Sequence, residues 1–217
     1  MQRMFLLAGM TALLAAPPAQ AQNACAEYGK TPPVGGWSEW QSDQGKVRLS
    51  VIGTEKKDGK DLYWIEMQGA SQGGPNGRGG QGILQLLVSG FPYDAAGIQG
   101  MVMKMEGQPA MKANDQMLSM MKTQMHDNPA SAALRDCSTW TKVGEESVTV
   151  PAGSFQTLHL KDNKTGNEVW VSKDVPFGMV KGNMTKTGEI TLTATGKDAK
   201  SSITETPVDM GNMMKPQ

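Results

Sequence analysis

Hydrophobic and polar positions alternate along much of this chain. Val47, Leu49 and Val51 interleave with Lys46, Arg48 and Ser50, and Tyr63, Ile65 and Met67 interleave with Leu62, Trp64 and Glu66. A period of two marks half-buried strands. Lys57-Asp58-Gly59-Lys60 between the two runs has turn composition, so they form a hairpin. Ile83 to Val88 is a short apolar run of either type, and Gln99 to Glu106 alternates again, with Met101, Met103 and Met105 on one side. From Pro109 to His126 the period changes. Met111, Leu118, Met121 and Met125, flanked by Met117, recur at helical spacing, while Lys112, Asp115, Ser119 and Lys122 fall opposite. With Pro109 in its first turn and Asp127-Asn128-Pro129 as its stop, this pattern predicts one long amphipathic helix over 109–126.

Beyond Cys137 the pattern predicts a β-meander, with strands near 145–150, 154–161, 167–172, 177–184 and 188–195. Gly or Pro occurs in every separator, as successive antiparallel strands require. The fold class that follows is mainly β, antiparallel strands with one long amphipathic helix over 109–126.

The start of the chain changes the picture. Arg3, the apolar run Met4 to Ala16 and the small residues of Ala19-Gln20-Ala21 read as a cleavable secretory signal. The run is too short to span a bilayer, and no other stretch approaches that length. Three parts follow: a signal peptide over 1–21, a single β-rich domain over 22–205 and a loose tail over 206–217. The expected product is an exported protein, periplasmic or secreted, soluble after cleavage near Ala21. Cys25 is preceded by Gln22-Asn23-Ala24, which does not suit lipid attachment.

Without Arg3 the chain carries 20 basic and 21 acidic side chains, a balance that attracts neither nucleic acid nor an anionic membrane. Cys25 and Cys137, in a compartment that permits disulfides, are expected to pair. The alternative is one cysteine in a loose arm and one buried.

Catalytic chemistry finds little support. Gly77-Arg78-Gly79-Gly80-Gln81-Gly82 matches the dinucleotide pattern formally, but the apolar run after it stops at Ser89-Gly90-Phe91-Pro92, too soon for the helix that a βαβ unit needs. His126 and His159 are the only histidines, and neither lies in a nucleophile motif. A hydrogen-bonded structural role suits His159 better than a catalytic one. The expectation is a non-enzymatic protein without a cofactor.

Methionine is the anomaly: 17 in the chain, three of them within the signal. An unbranched, polarizable side chain fills irregular spaces and suits surfaces that adapt to varied apolar partners. Met101, Met103, Met105, Met117, Met121 and Met125 are therefore the candidate lining of a cavity for an apolar small molecule, lipid or lipoprotein. Ordinary core packing is the simpler reading of the same stripe. Thioethers also bind Cu(I), and Met101, Met103, Met105, Met125 and His126 are the candidate ligands of that alternative. An envelope scaffold without a small ligand is the third. Oligomeric state is not legible.

Val148-Thr149-Val150-Pro151-Ala152-Gly153-Ser154-Phe155, followed by the stretch from Glu168 to Val180 with Trp170, Ser172, Val175-Pro176 and Gly178, resembles exported bacterial proteins related to LolA-like lipoprotein carriers. The resemblance covers roughly residues 140–185. It implies a strongly curved, incomplete antiparallel barrel with helical segments over its apolar side, binding lipids, acyl chains or lipoproteins without catalysis. It carries over no ligand residue.

Overall fold

The computed structural model describes residues 30–71, 80–126, 139–185 and 188–210. Two meanders share one open sheet of twelve strands. The first comprises β1 (Trp37–Ser42), β2 (Gly45–Lys57), β3 (Lys60–Ser71), β4 (Gly80–Val88), β5 (Ile98–Met105) and β6 (Met111–Lys112). The second comprises β7 (Trp140–Val150), β8 (Gly153–Asp162), β9 (Glu168–Val171), β10 (Met179–Met184) and β11 (Gly188–Gly196). β1 and β11 pair antiparallel in the middle, Trp37 opposite Gly196 and Trp40 opposite Leu192. A last short strand, β12 (Val208–Asp209), runs parallel to β6 at one edge.

Local chemistry explains the hairpins. Lys57 pairs with Lys60, leaving Asp58 and Gly59 as a two-residue loop with φ of 51° and 75°. Positive φ at both positions is the type I′ geometry that Asp-Gly favours. Val150 pairs with Gly153 around Pro151-Ala152, and the Ala152 N–H donates to the Leu192 carbonyl at 3.4 Å. The tip of the β7–β8 hairpin thus folds back on β11, curling the second meander. At the outer edge, β7 departs from regular pairing between Lys142 and Gly144, with Val143 left exposed and Lys142 bonded to Glu145.

The main core lies on one face. Trp40, Val51, Ile65, Leu86, Ile98, Met101, Val180 and Leu192 are sealed there, joined by Val175 and Phe177 from the β9–β10 turn. Trp40 donates its indole N–H to the Met179 carbonyl at 2.9 Å, and Phe177 packs edge-on against Trp40 and Phe91.

The expected long helix covering an open side is contradicted. Residues 109–114 are not helical: Met111 and Lys112 pair with Met103 and Val102 of β5, and Ala110 is fully buried. The helix α1 (Asp115–His126) has 12 residues, starting where the Asn114 side chain accepts the Met117 N–H at 2.8 Å. That is an N-cap bond to the third helical residue. Of the α1 side chains described, only Leu118 is buried, and Met120 is 59% exposed. The segment before Asn114 has helix-like spacing, but its backbone is taken up by β5 and by the chain's last described residues. Tertiary pairing overrides local propensity there.

Those last residues form a strap across the face opposite the core. It leaves the end of β11, where Ala199 N–H donates to the Gly35 carbonyl, and finishes beside β6, where Val208 N–H donates to the Ala110 carbonyl at 2.8 Å. Its anchor is Glu66, fully buried on β3. The Glu66 carboxylate accepts from Gln68 at 2.7 Å, Gln85 at 2.7 Å and the Ser202 N–H at 3.0 Å. Gln68 and Gln85 also donate to the Ser202 and Ser201 hydroxyls. Ile203 inserts beside Val102 and Ala110. Glu205 closes the strap on Lys104 at 2.7 Å. The strap overlaps the segment expected to be a tail, of which 206–210 is described.

Glu66→Ala takes an acceptor from the buried Gln85 amide and from the part-buried Gln68 amide and Ser202 N–H, at about 1–3 kcal/mol for each one that stays dry. Urea unfolding should show a loss of at least about 2 kcal/mol. Hydrogen exchange should rise first at 199–208; uniform exchange along the chain would contradict the anchoring role. Acid tests the far end of the strap. Lys104 holds the Glu205 carboxyl below its usual range, so the contribution is present above the ordinary carboxylate pKa and is lost as pH falls through the lowered one. Below about pH 4, exchange at the Val208 N–H should accelerate, and Lys104→Met should remove that pH dependence.

Candidate functional site

Register converts the methionine alternation of β5 into rows across the core face. Met101 lies opposite Leu86, Leu86 opposite Ile65 and Ile65 opposite Val51. All four are buried, at 1%, 3%, 2% and 0% exposure. Two residues along, the next row is Met103, Leu84, Met67 and Leu49, every member half-buried. The third row is Met105, Gly82, Gly69 and Val47, again half-buried. Burial therefore drops once, from the sealed first row to a half-buried apolar margin made of the second and third rows.

The two glycines shape the strip's outer margin. A Cβ on Gly82 would sit 3.3 Å from the Met105 sulfur, and one on Gly69 would sit 3.0 Å from the Lys46 carbonyl. A cleft of about 290 Å³ lies among Gln68, Gly69, Gly82, Ile83, Lys104, Met105 and Glu106, where Gln68, Ile83 and Lys104 are in register with one another on the strap side of the sheet. That is near the lower end of ligand-site volumes. The charge at its rim is already engaged, Lys104 with Glu205.

The expected site residues separate accordingly. Met101 belongs to the sealed core, whereas Met103 packs against that core from the half-open row. Met105 lines the cleft, and Met117 is half-buried near the start of α1. The side chains of Met121, Met125 and His126 lie outside the described residues, as do Cys25, Cys137 and the 1–21 segment. Sequence reasoning missed Leu49, Met67 and Leu84 as partners of Met103. The alternation in β2 and β3 gave their facing; only the register shows that they form one row.

For the copper alternative, Met101 is out of reach of an ion without opening the core. Among the described residues no three His, Cys, Asp or Glu side chains are placed to hold a metal. Gly80 to Gly82, the end of the dinucleotide-like pattern, already belong to β4, and no helix follows them.

His159 is 13% exposed and stacks on Trp170 at 4.1 Å. Its Nε2 lies 3.2 Å from Glu168, and its Nδ1 lies 3.4 Å from Glu146, which also accepts the Trp170 indole N–H. Lys161 is the main cause of a lowered Glu168 carboxyl. The whole group forms a tied network between β7, β8 and β9.

No helix among the described residues is long and apolar enough to cross a membrane. No family model and no curated protein matches the chain. Solved structures similar to it include a protein of Parabacteroides distasonis designated a lipoprotein, at 10% identity and TM-score 0.35, covering 76% of this chain and 97% of that one. A Bacteroides fragilis protein designated exported, with a YmcC-like fold, matches at 11% identity and TM-score 0.33, covering 77% and 98%. A hypothetical protein of Chlamydia trachomatis matches at 11% identity and TM-score 0.39, covering 87% and 98%. None of these three is named as a lipoprotein carrier, and at such scores they assign neither ligand nor activity to this chain.

Proposed function

We propose that this is a non-enzymatic, exported protein that holds an apolar ligand, a lipid or acyl chain, on the half-buried strip of Leu49, Met67, Leu84 and Met103. The carrying observation is the drop in burial from the sealed first row to the half-buried second and third rows, which register makes continuous. Four adjacent strands give the strip a width of about 14 Å, enough for a stretch of acyl chain lying across them. Two flexible thioethers among two leucines let the surface adapt to chains of varied shape. Export is supported by the Arg3, Met4–Ala16 and Ala19-Gln20-Ala21 pattern.

Polar substitution separates a binding strip from a core. Met101→Gln places an amide in a sealed row and should cost roughly 1–3 kcal/mol in unfolding experiments. Met103→Gln, with water in reach, should cost clearly less. Binding of N-phenyl-1-naphthylamine, a neutral apolar fluorophore, should weaken about tenfold in Met103→Gln, the size of a 1.4 kcal/mol loss. Equal destabilisation at both positions, with no fluorophore bound by the unaltered protein, would return the strip to ordinary core. Lipid extraction and native mass spectrometry of protein purified from its own envelope should then identify what it carries.

A further inference from the structure

We propose that the sulfurs of Met67, Met103 and Met105 are sites of reversible oxidation that switch the strip from apolar to polar and release what it holds. This rests on the reading of the strip as a binding surface and adds its regulation. One face of the sheet carries methionines in two states. Met101 is 1% exposed, so an oxidant reaches it only by opening the core. Met67, Met103 and Met105 share its face but are half-buried, and reactivity follows exposure. The Met105 sulfur lies over its cross-strand partner Gly82, 3.3 Å from where a Cβ there would sit.

The neighbours make the change consequential. Leu49, Leu84 and Val47 are aliphatic, and none offers a side-chain hydrogen-bond donor. A sulfoxide oxygen at Met67 or Met103 takes its hydrogen bonds from water, so water occupies the ground that an acyl chain would cover. The oxidant is a hypohalous acid. The thioether sulfur of hypochlorous acid's target loses two electrons and gains the oxygen as S=O; the chlorine is reduced to chloride and the proton is released with it. Reduction by a dithiol runs the step backwards: the sulfoxide oxygen leaves as water and the dithiol becomes a disulfide. Neither direction cuts the chain.

The full chain is treated with limiting hypochlorous acid, and each methionine's sulfoxide is followed by peptide mass spectrometry. Met67, Met103 and Met105 should oxidise well before Met101. The 59% exposed Met120 serves as the fast reference. N-phenyl-1-naphthylamine affinity should fall at least about tenfold in step with the strip sulfoxides, and should return after treatment with methionine sulfoxide reductases and dithiothreitol. The volume-conserving triple variant Met67→Leu, Met103→Leu and Met105→Leu should lose no affinity on oxidation, whatever affinity it starts with. Met120→Leu should still lose it. Met101 reacting as fast as the other three, unchanged affinity after full oxidation of the strip, or equal loss in the triple variant would each overturn the switch while leaving the binding strip in place. A reduced, intact protein that binds no fluorophore would remove the strip reading and the switch together.

Discussion

The pairing of β1 with β11 holds this molecule together. Each meander is local in sequence, hairpin following hairpin, and each could form its ladder without the other. Only the antiparallel seam from Trp37–Gly196 to Ser42–Ile190 makes them one sheet. Trp40 sits on that seam, sealed between Leu192 and the Met179 carbonyl that accepts its indole N–H. The seam also places Phe177 of the second meander against Phe91 of the first. Closing such a contact between distant parts of the chain carries loop-closure entropy that the local hairpins avoid. The sealed core repays it.

The two faces of the first meander then divide the work by chemistry. On one face the rows grade from Met101 and Ile65, fully sealed, to Met103 and Met67, half-open. On the other face, Glu66 and Gln85 are buried but polar, and a strap of serines satisfies them. Strictly alternating strands allow this division, because neighbouring residues such as Glu66 and Met67 point to opposite sides. Polar groups fix a covering segment in one position through directional bonds; apolar groups leave their partner free to vary. The same four strands thus carry one face tied by directional bonds and one packed by apolar side chains.

Much of this was legible in sequence. The alternation of β2, β3 and β5, the Asp58-Gly59 turn and the spacing of the second meander all report local backbone preference, which short-range patterns carry. What was not legible depended on distant pairing. Met111 has helical spacing relative to Leu118, yet it lies in a strand because Met103 supplies the partner. The true helix start, Asn114, is a good capping residue that Pro109 overshadowed. Glu66 alternates with Ile65 and Met67, and nothing local marks it as buried; the strap from more than 130 residues later in the chain covers it. Methionine content could not distinguish Met101, in the core, from Met103, at its margin, since two adjacent positions of one face differ only in what lies beyond the strand.

An open sheet has two edges, and each offers backbone groups to any passing strand. Here β7 breaks its regular pairing at Val143 and carries Lys142, Glu145 and Glu146, while β6 is covered by β12, a strand of two residues. A second molecule trying to extend either ladder would meet an irregular, charged strand at one end and almost no strand at the other. Devices of this kind discourage fibril growth. Among the described residues, neither edge therefore presents a long, regular ladder for a second chain to extend.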